Sequence, residues 1–319
     1  MSNKQIFMFS GQGSQYYQMG KELYQRNNSF KHWMNVCNEI ASELLHTSLI
    51  DTIYPEDKKG QAFDRLLYTN PALISIQYSL AKMLNDKGIY ADYLMGYSLG
   101  EVAASVVSEA ISLEGGLKLV IEMAQLAEQK SPKAKMLAIV AEKIIVANDP
   151  MLFSKCWITG TNFPGNFVVC GLPEDIDILQ KELQGDGITT QLLPVNTGFH
   201  TPLINDFEEE FKQSIKKLPR KKSKTPVISS CKQQILEELN DDYFWEVIRY
   251  PVNFMNTVET VVAKEDYVFI DLGPSGSLAT SIKYILPSNS VSMPFQILNQ
   301  FGKNLVMLEK LEKNLSVGS

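Results

Sequence analysis

The sequence predicts an α/β fold built on a mainly parallel sheet and interrupted by a small inserted subdomain. Three observations carry this reading. Strand-like and helical runs alternate from the start of the chain. Two short apolar runs, 5–9 and 93–95, each lead into a glycine-rich turn and then into helical patterning. The middle of the chain holds two compact strand–helix units after a polar, proline-bearing break. With 319 residues, 45% of them hydrophobic, there is ample apolar material for one large core or two smaller ones.

Taken in order, residues 5–9 read as a strand ending in Ser10-Gly11-Gln12-Gly13-Ser14, and helical patterning follows over 17–27 and 29–45. Asn70-Pro71-Ala72 reads as a helix start with proline in the first turn, continuing to 87. Residues 93–95 form a brief strand before Gly96-Tyr97-Ser98-Leu99-Gly100, a small-residue helix over 101–108 and another over 113–129. After Ser131-Pro132-Lys133, strands are expected at 136–140, 155–159, 167–171 and 189–194, with a helix at 173–185. These make up the insert, 134–198, which divides a larger unit of 1–133 and 199–319. The tail supplies a helix at 206–217, a strand at 227–230, a helix at 243–248, and a strand at 267–272 before Gly273-Pro274-Ser275-Gly276.

Thirty basic residues against thirty-six acidic ones give a net charge of −6, which argues against nucleic acid, since phosphate binding needs a basic face. The four cysteines, Cys37, Cys156, Cys170 and Cys231, are scattered and read as buried hydrophobes in a reducing, cytoplasmic setting. Met1-Ser2-Asn3-Lys4-Gln5 leads into no long apolar region, so no signal peptide is expected, and no run is long enough to span a membrane. No metal-ligand spacing or redox-cofactor motif is present; Gly11-Gln12-Gly13-Ser14-Gln15-Tyr16 lacks the third glycine of a dinucleotide fingerprint. The run Arg220-Lys221-Lys222-Ser223-Lys224 reads either as a solvated loop or as a patch for an acidic partner. The only arginines are Arg26, Arg65, Arg220 and Arg249, leaving a long stretch with none.

Gly96-Tyr97-Ser98-Leu99-Gly100 fits the nucleophile-elbow pattern in the strand–turn–helix context that pattern needs. Its glycines suit a strained turn that lifts a serine hydroxyl to the positive end of the following helix. A serine nucleophile needs a base, and the chain has three histidines. His32 and His46 lie among polar neighbours in the early helical region and read as surface residues. His200, in Gly198-Phe199-His200-Thr201-Pro202 between a strand and a helix, is the expected base for Ser98. The backbone N–H of Leu99 and one from the turn around Gln12 are the expected oxyanion donors.

In order, Phe9-Ser10-Gly11-Gln12-Gly13-Ser14-Gln15, Gly96-Tyr97-Ser98-Leu99-Gly100-Glu101 and Gly198-Phe199-His200-Thr201 resemble the malonyl-CoA:acyl carrier protein transacylases and polyketide synthase acyltransferases. Asn162-Phe163-Pro164, Tyr250-Pro251-Val252 and Asp271-Leu272-Gly273-Pro274 also fall where that family has signatures. The resemblance implies a large α/β-hydrolase-like subdomain with an inserted ferredoxin-like one, and a site in the cleft between them. It implies a Ser98–His200 dyad, an oxyanion hole from the amides of Gln12 and Leu99, and a main-chain carbonyl at Val247 that orients the histidine. It further implies substrate contacts from Tyr97, Phe199 and Asn70, although Asn70 is equally placed to cap the helix at Pro71.

Two departures redirect the expected activity. Tyr97 stands where the family usually has histidine, and Met123 stands where it has the arginine that holds the malonyl carboxylate. An unpaired buried carboxylate costs several kcal/mol, and a bidentate arginine is the usual remedy. Methionine suits uncharged acyl groups instead. The chain therefore resembles an arginine-lacking branch found beside trans-acyltransferase polyketide synthases in antibiotic biosynthesis, whose members act as acyl hydrolases. The implied protein is a monomeric proofreading thioesterase acting on acyl carrier protein domains. It would hold no bound cofactor, its substrate being carried on phosphopantetheine. A true acyltransferase and a non-catalytic carrier-protein-binding subunit are the alternatives.

Overall fold

The computed structural model describes residues 4–317, so Met1, Ser2 and Asn3, on which the expectation of no signal peptide partly rests, lie outside the described residues. Among the described residues the strands are β1 (Lys4–Phe9), β2 (Tyr93–Gly96), β3 (Lys135–Val140), β4 (Cys156–Phe163), β5 (Asn166–Gly171), β6 (Thr189–Leu192), β7 (Val227–Ser229), β8 (Gln234–Leu236), β9 (Tyr267–Asp271) and β10 (Met293–Gln296). They form a six-stranded sheet in the order β10-β9-β1-β2-β7-β8 and a four-stranded sheet in the order β4-β5-β3-β6.

The large sheet is parallel except for the β7–β8 hairpin. Its central strand β1 is apolar on both faces because both are covered. Phe7 and Phe9 join the main core with helices Leu66–Asp86, Gly100–Val107 and Leu113–Lys130, whereas Ile6 and Met8 pack with helices Phe254–Val262 and Ser277–Ile285. The smaller sheet is antiparallel throughout and runs strand, helix, strand, strand, helix, strand, with helices Ile144–Asn148 and Pro173–Gly185. This order gives the chain the ferredoxin-like layer beside its α/β-hydrolase-like one. In β3 and β5, Leu137, Ile139, Phe167 and Val169 fill a local core, while Met136, Val168 and Cys170 on the opposite face belong to the main core.

The two layers are joined along β4. Val252 exchanges backbone hydrogen bonds with β4, donating to Thr159 at 2.9 Å and accepting from Thr161 at 3.1 Å. Phe163 stacks on Tyr284 with ring centroids 4.6 Å apart.

Several local expectations change. The helix expected to open at Asn70 begins at Leu66, so Pro71 lies inside it and Asn70 does not cap it. Burial on almost every side holds that helix despite the missing N–H. The helical pattern from residue 17 resolves into turns as far as Gly20, at φ 71°, and a helix only over Lys21–Arg26. The strand expected to end at 159 continues to Phe163 and turns back through Pro164-Gly165. The basic run is tied to the protein's own carboxylates: Arg220 to Asp241, Lys221 and Lys224 to Glu109, Lys222 to Glu237. Exposed pairs of this kind contribute little stability, but they leave the loop no unopposed basic face. All four cysteines are free. Among the described residues, no helix is long and apolar enough to cross a membrane.

Candidate active site

Ser98 sits between β2 and the helix Gly100–Val107 at φ 53°, a left-handed conformation that side-chain-bearing residues seldom adopt. The flanking glycines allow this. A Cβ on Gly96 would lie 2.4 Å from the Cα of Glu101, and one on Gly100 would lie 1.9 Å from the carbonyl oxygen of Phe9. The elbow is thus pressed against the end of β1, and the next turn of chain, Gly11–Gln12, runs alongside it.

His200 comes from 102 residues further along, and its Nε2 lies 2.8 Å from the Ser98 Oγ. It too is left-handed, at φ 64°. Its backbone N–H donates to the Ile248 carbonyl at 2.7 Å, and its Nδ1 faces the Tyr250 carbonyl at 2.7 Å. A carbonyl can only accept, so Nδ1 carries the proton and Nε2 is left bare to accept from Ser98. Burial pushes the imidazole down to about 4, against the opposing effect of the Tyr250 hydrogen bond, so the ring is neutral at pH 7.

The carbonyl that orients His200 is therefore that of Tyr250 and not that of Val247. Val247 lies inside the helix Tyr243–Arg249, three residues before the carbonyl that meets the ring. Only past the helix end, at Tyr250 with ψ 154°, does the chain turn a carbonyl towards the ring.

Ser98 and His200 open onto a small cavity of about 50 Å³. Met123, Phe199, Tyr97 and Leu99 line it from the large layer, and Met136, Thr159 and Val168 from the small one. Among the described residues, no lysine, arginine, aspartate or glutamate lines it. Met123 is 2% exposed and faces the same space as Ser98. Lys118 points away, with its ammonium near Glu122, and Arg65 pairs with Glu128. Among the described residues, the amides of Gln12 and Leu99 donate to nothing, so both are free to meet an oxyanion.

Tyr97 and Asn70 are placed differently from one another. The Tyr97 ring lines the cavity, and its hydroxyl donates to Asn162 Oδ1 at 2.8 Å, joining the elbow to β4. Burial holds this phenol well above its usual range. Asn70 is fully buried and does not reach the cavity. It donates to the Val120 carbonyl at 3.1 Å and accepts from the Gln12 side chain, so it anchors Gln12 from behind the cavity. His32 and His46 are exposed. The cavity residues of the small layer were not singled out from the sequence. The alternation of β3 and β5 carries their signal, since Met136 and Val168 sit on the face opposite the small core.

The arrangement can deprotonate a serine hydroxyl and receive a small apolar group beside it, with two unengaged main-chain N–H groups on residues that line the same cavity. This is the equipment of acyl transfer through a covalent ester. The acyl transferase domain pattern matches residues 6–316. The polyketide biosynthesis acyltransferase homolog PksD of Bacillus subtilis (strain 168) is 36% identical over 313 residues, covering 98% of this chain and 97% of its own. BaeD of Bacillus velezensis, described in the same words, is 34% identical over 316 residues, covering 99% and 98%. A loading acyltransferase from the avermectin modular polyketide synthase superposes with a TM-score of 0.89 at 21% identity, covering 98% of this chain and 99% of that one. The malonyl transacylase of Streptococcus pneumoniae does so at 0.80 and 23%, covering 97% and 100%. The two structures speak to the fold alone. On the match along almost its whole length, the chain belongs to the acyl transferase domain family.

Proposed function

We propose that the protein is an acyl hydrolase that removes short, uncharged acyl groups from the phosphopantetheine arms of acyl carrier proteins in polyketide biosynthesis. The observation that carries this reading is a Ser98–His200 pair opening onto a cavity of about 50 Å³ that is walled by Met123 and has no cation. A buried malonyl carboxylate would have no partner there, whereas an acetyl group meets apolar surface.

His200 Nε2 takes the Ser98 proton as Oγ attacks the thioester carbonyl. The developing oxyanion is held by the Gln12 and Leu99 amides. The intermediate collapses, expelling the thiol, which takes its proton from His200, and leaves acyl-Ser98. Water then attacks the ester while His200 removes its proton. Collapse returns that proton to Ser98 and releases the free acid. The Tyr250 carbonyl holds the ring tautomer and stabilises the imidazolium of both half-reactions. General-base help of this kind is worth ~10²–10⁴ in rate, and each oxyanion donor ~10²–10³.

Acyl transfer to a second thiol is the other reading, favoured by the 36% identity to an acyltransferase homolog. It shares every step up to acyl-Ser98. Incubating the protein with acetyl-loaded carrier protein, with and without a second unloaded carrier, separates the two. Free acetate and a short-lived adduct are expected; an adduct stable in water but discharged by the second carrier would establish the transferase instead.

A further inference from the structure

Glu101 lies three residues after Ser98, in the first turn of the helix Gly100–Val107, and has no exposed surface. A buried carboxyl is retained at a cost, so its partners bear on its role. Oε1 accepts from the backbone N–H of Cys231 at 2.9 Å, and Oε2 accepts from the Tyr243 hydroxyl. Both partners are distant in sequence, 130 and 142 positions away. Tyr243 opens the helix Tyr243–Arg249, whose other end supplies both carbonyls that hold His200: Ile248 to its backbone N–H and Tyr250 to its ring. Cys231 contacts the same helix, its thiol donating to the Glu246 carbonyl at 3.4 Å. Its neighbour Ser230 donates to the Gly96 carbonyl at 2.5 Å, immediately below the elbow.

Among the described residues the other buried carboxyl, Asp271 at the end of β9, behaves differently. Asp271 accepts from the backbone of Gly273 and Ala279, two and eight residues on, and so closes only its own turn and the helix that follows. Glu101 instead joins the segment that carries Ser98 to the segment that holds both the backbone and the ring of His200.

We infer that Glu101 is a positioning residue for the Ser98–His200 pair, setting the distance between Oγ and Nε2 through Tyr243. The inference rests on the proposed roles of Ser98 and His200. Neither Glu101 nor Tyr243 lines the cavity, so the pair acts on the geometry of the reacting groups and not on acyl binding.

The test compares Tyr243→Phe, Glu101→Gln and Glu101→Ala with the wild-type full chain, using acetyl-pantetheine as substrate well below each variant's thermal midpoint. Tyr243→Phe removes one hydroxyl and keeps the ring, so it is expected to fold. Its kcat should fall roughly 10-fold with KM unchanged, because a displacement of about 1 Å at reacting groups costs up to ~10² in rate. Glu101→Gln can still accept from Cys231 and donate to the Tyr243 oxygen, and should recover most of the kcat that Glu101→Ala loses. A folded Tyr243→Phe with wild-type kcat, or one whose loss lies in KM, overturns the inference. Should Glu101→Ala fail to fold, the Tyr243→Phe result decides alone. Ser98→Ala serves as the separate control: activity surviving in it defeats the proposed dyad, whereas its loss alongside full activity in Tyr243→Phe defeats only the positioning role.

Discussion

Replacing Met123 with arginine tests the character of the acyl pocket. Met123 is 2% exposed, and the cavity it shares with Ser98 has no charged lining. A malonyl thioester on Ser98 would leave its carboxylate against this wall. The effective penalty for such an ion is several kcal/mol even after relaxation and water penetration. Taking about 3 kcal/mol of it, at 1.36 kcal/mol per tenfold, the wild type should favour acetyl over malonyl by roughly 10²-fold in kcat/KM. Arginine reverses the sign. Its planar fork pairs a carboxylate bidentately, whereas with an acetyl group it becomes an unpaired buried cation. The longer side chain must also enter about 50 Å³, so a stability loss of ~1–3 kcal/mol is expected from overpacking. The assay is kcat/KM for acetyl- and malonyl-pantetheine, with mass spectrometry of the quenched protein to read the adduct. Wild-type protein that releases malonate as fast as acetate would refute the reasoning, as would a folded Met123→Arg variant whose preference has not moved.

Four further outcomes follow from the same geometry. Ser98→Ala should form no acyl adduct and lose at least ~10³ in kcat, while its urea midpoint stays near wild type; an adduct elsewhere in the chain would point to another nucleophile. The acid limb of kcat/KM should fall near pH 4, where burial places His200, and a limb at 6.5 would show an exposed ring. Folded His200 resists the proton that an unfolded one takes at about 6.5, so stability should decline as pH drops from 6.5 to 4, by about 3 kcal/mol in all, and His200→Gln should lack that part of the decline in urea titrations at pH 7 and 4.5. Gly100→Ala, whose Cβ would meet the Phe9 carbonyl oxygen at 1.9 Å, should lower the thermal midpoint by more than several degrees or prevent folding; a midpoint within a degree of wild type would mean the elbow is not so closely packed.

The parts of this protein legible in its sequence are those fixed by local rules. The elbow is one: its glycines announce a turn that only missing side chains permit, and the structure places them against Glu101 and Phe9. The alternation of strands and helices was legible for the same reason. Val247 and Asn70 were misplaced because their roles depend on where a helix starts or stops. A one-residue shift in a helix end changes which carbonyl faces outward. Asn70 was expected near a helix start, but tertiary burial carries that helix four residues further back, to Leu66. The last third of the chain was the least legible. Helices Phe254–Val262 and Ser277–Ile285 and the short strands β8 and β10 take their stability from packing against the sheet, and three- or four-residue strands have too little period to be seen.

Among the described residues, seven non-glycine residues have positive φ: Gln18, His46, Ser98, Glu109, Gln233, Lys303 and His200. Five of these, Gln18, His46, Glu109, Gln233 and Lys303, are partly or fully exposed and lie away from the cavity, whereas Ser98 and His200 line it and His200 is buried. Holding a residue in that region costs about 1–3 kcal/mol, and it persists only where the neighbouring structure over-determines it. At Ser98 the determinants are the two glycine contacts with Glu101 and Phe9. At His200 they are the Ile248 and Tyr250 carbonyls. Glycine at either position would remove the strain and with it the only side chains able to supply hydroxyl and imidazole at 2.8 Å. The two strained positions that meet at the cavity are therefore retained against stability, and the surrounding braces, from Glu101 and Tyr243 to the Val252 bridge between the layers, can be understood as the structure that keeps them there.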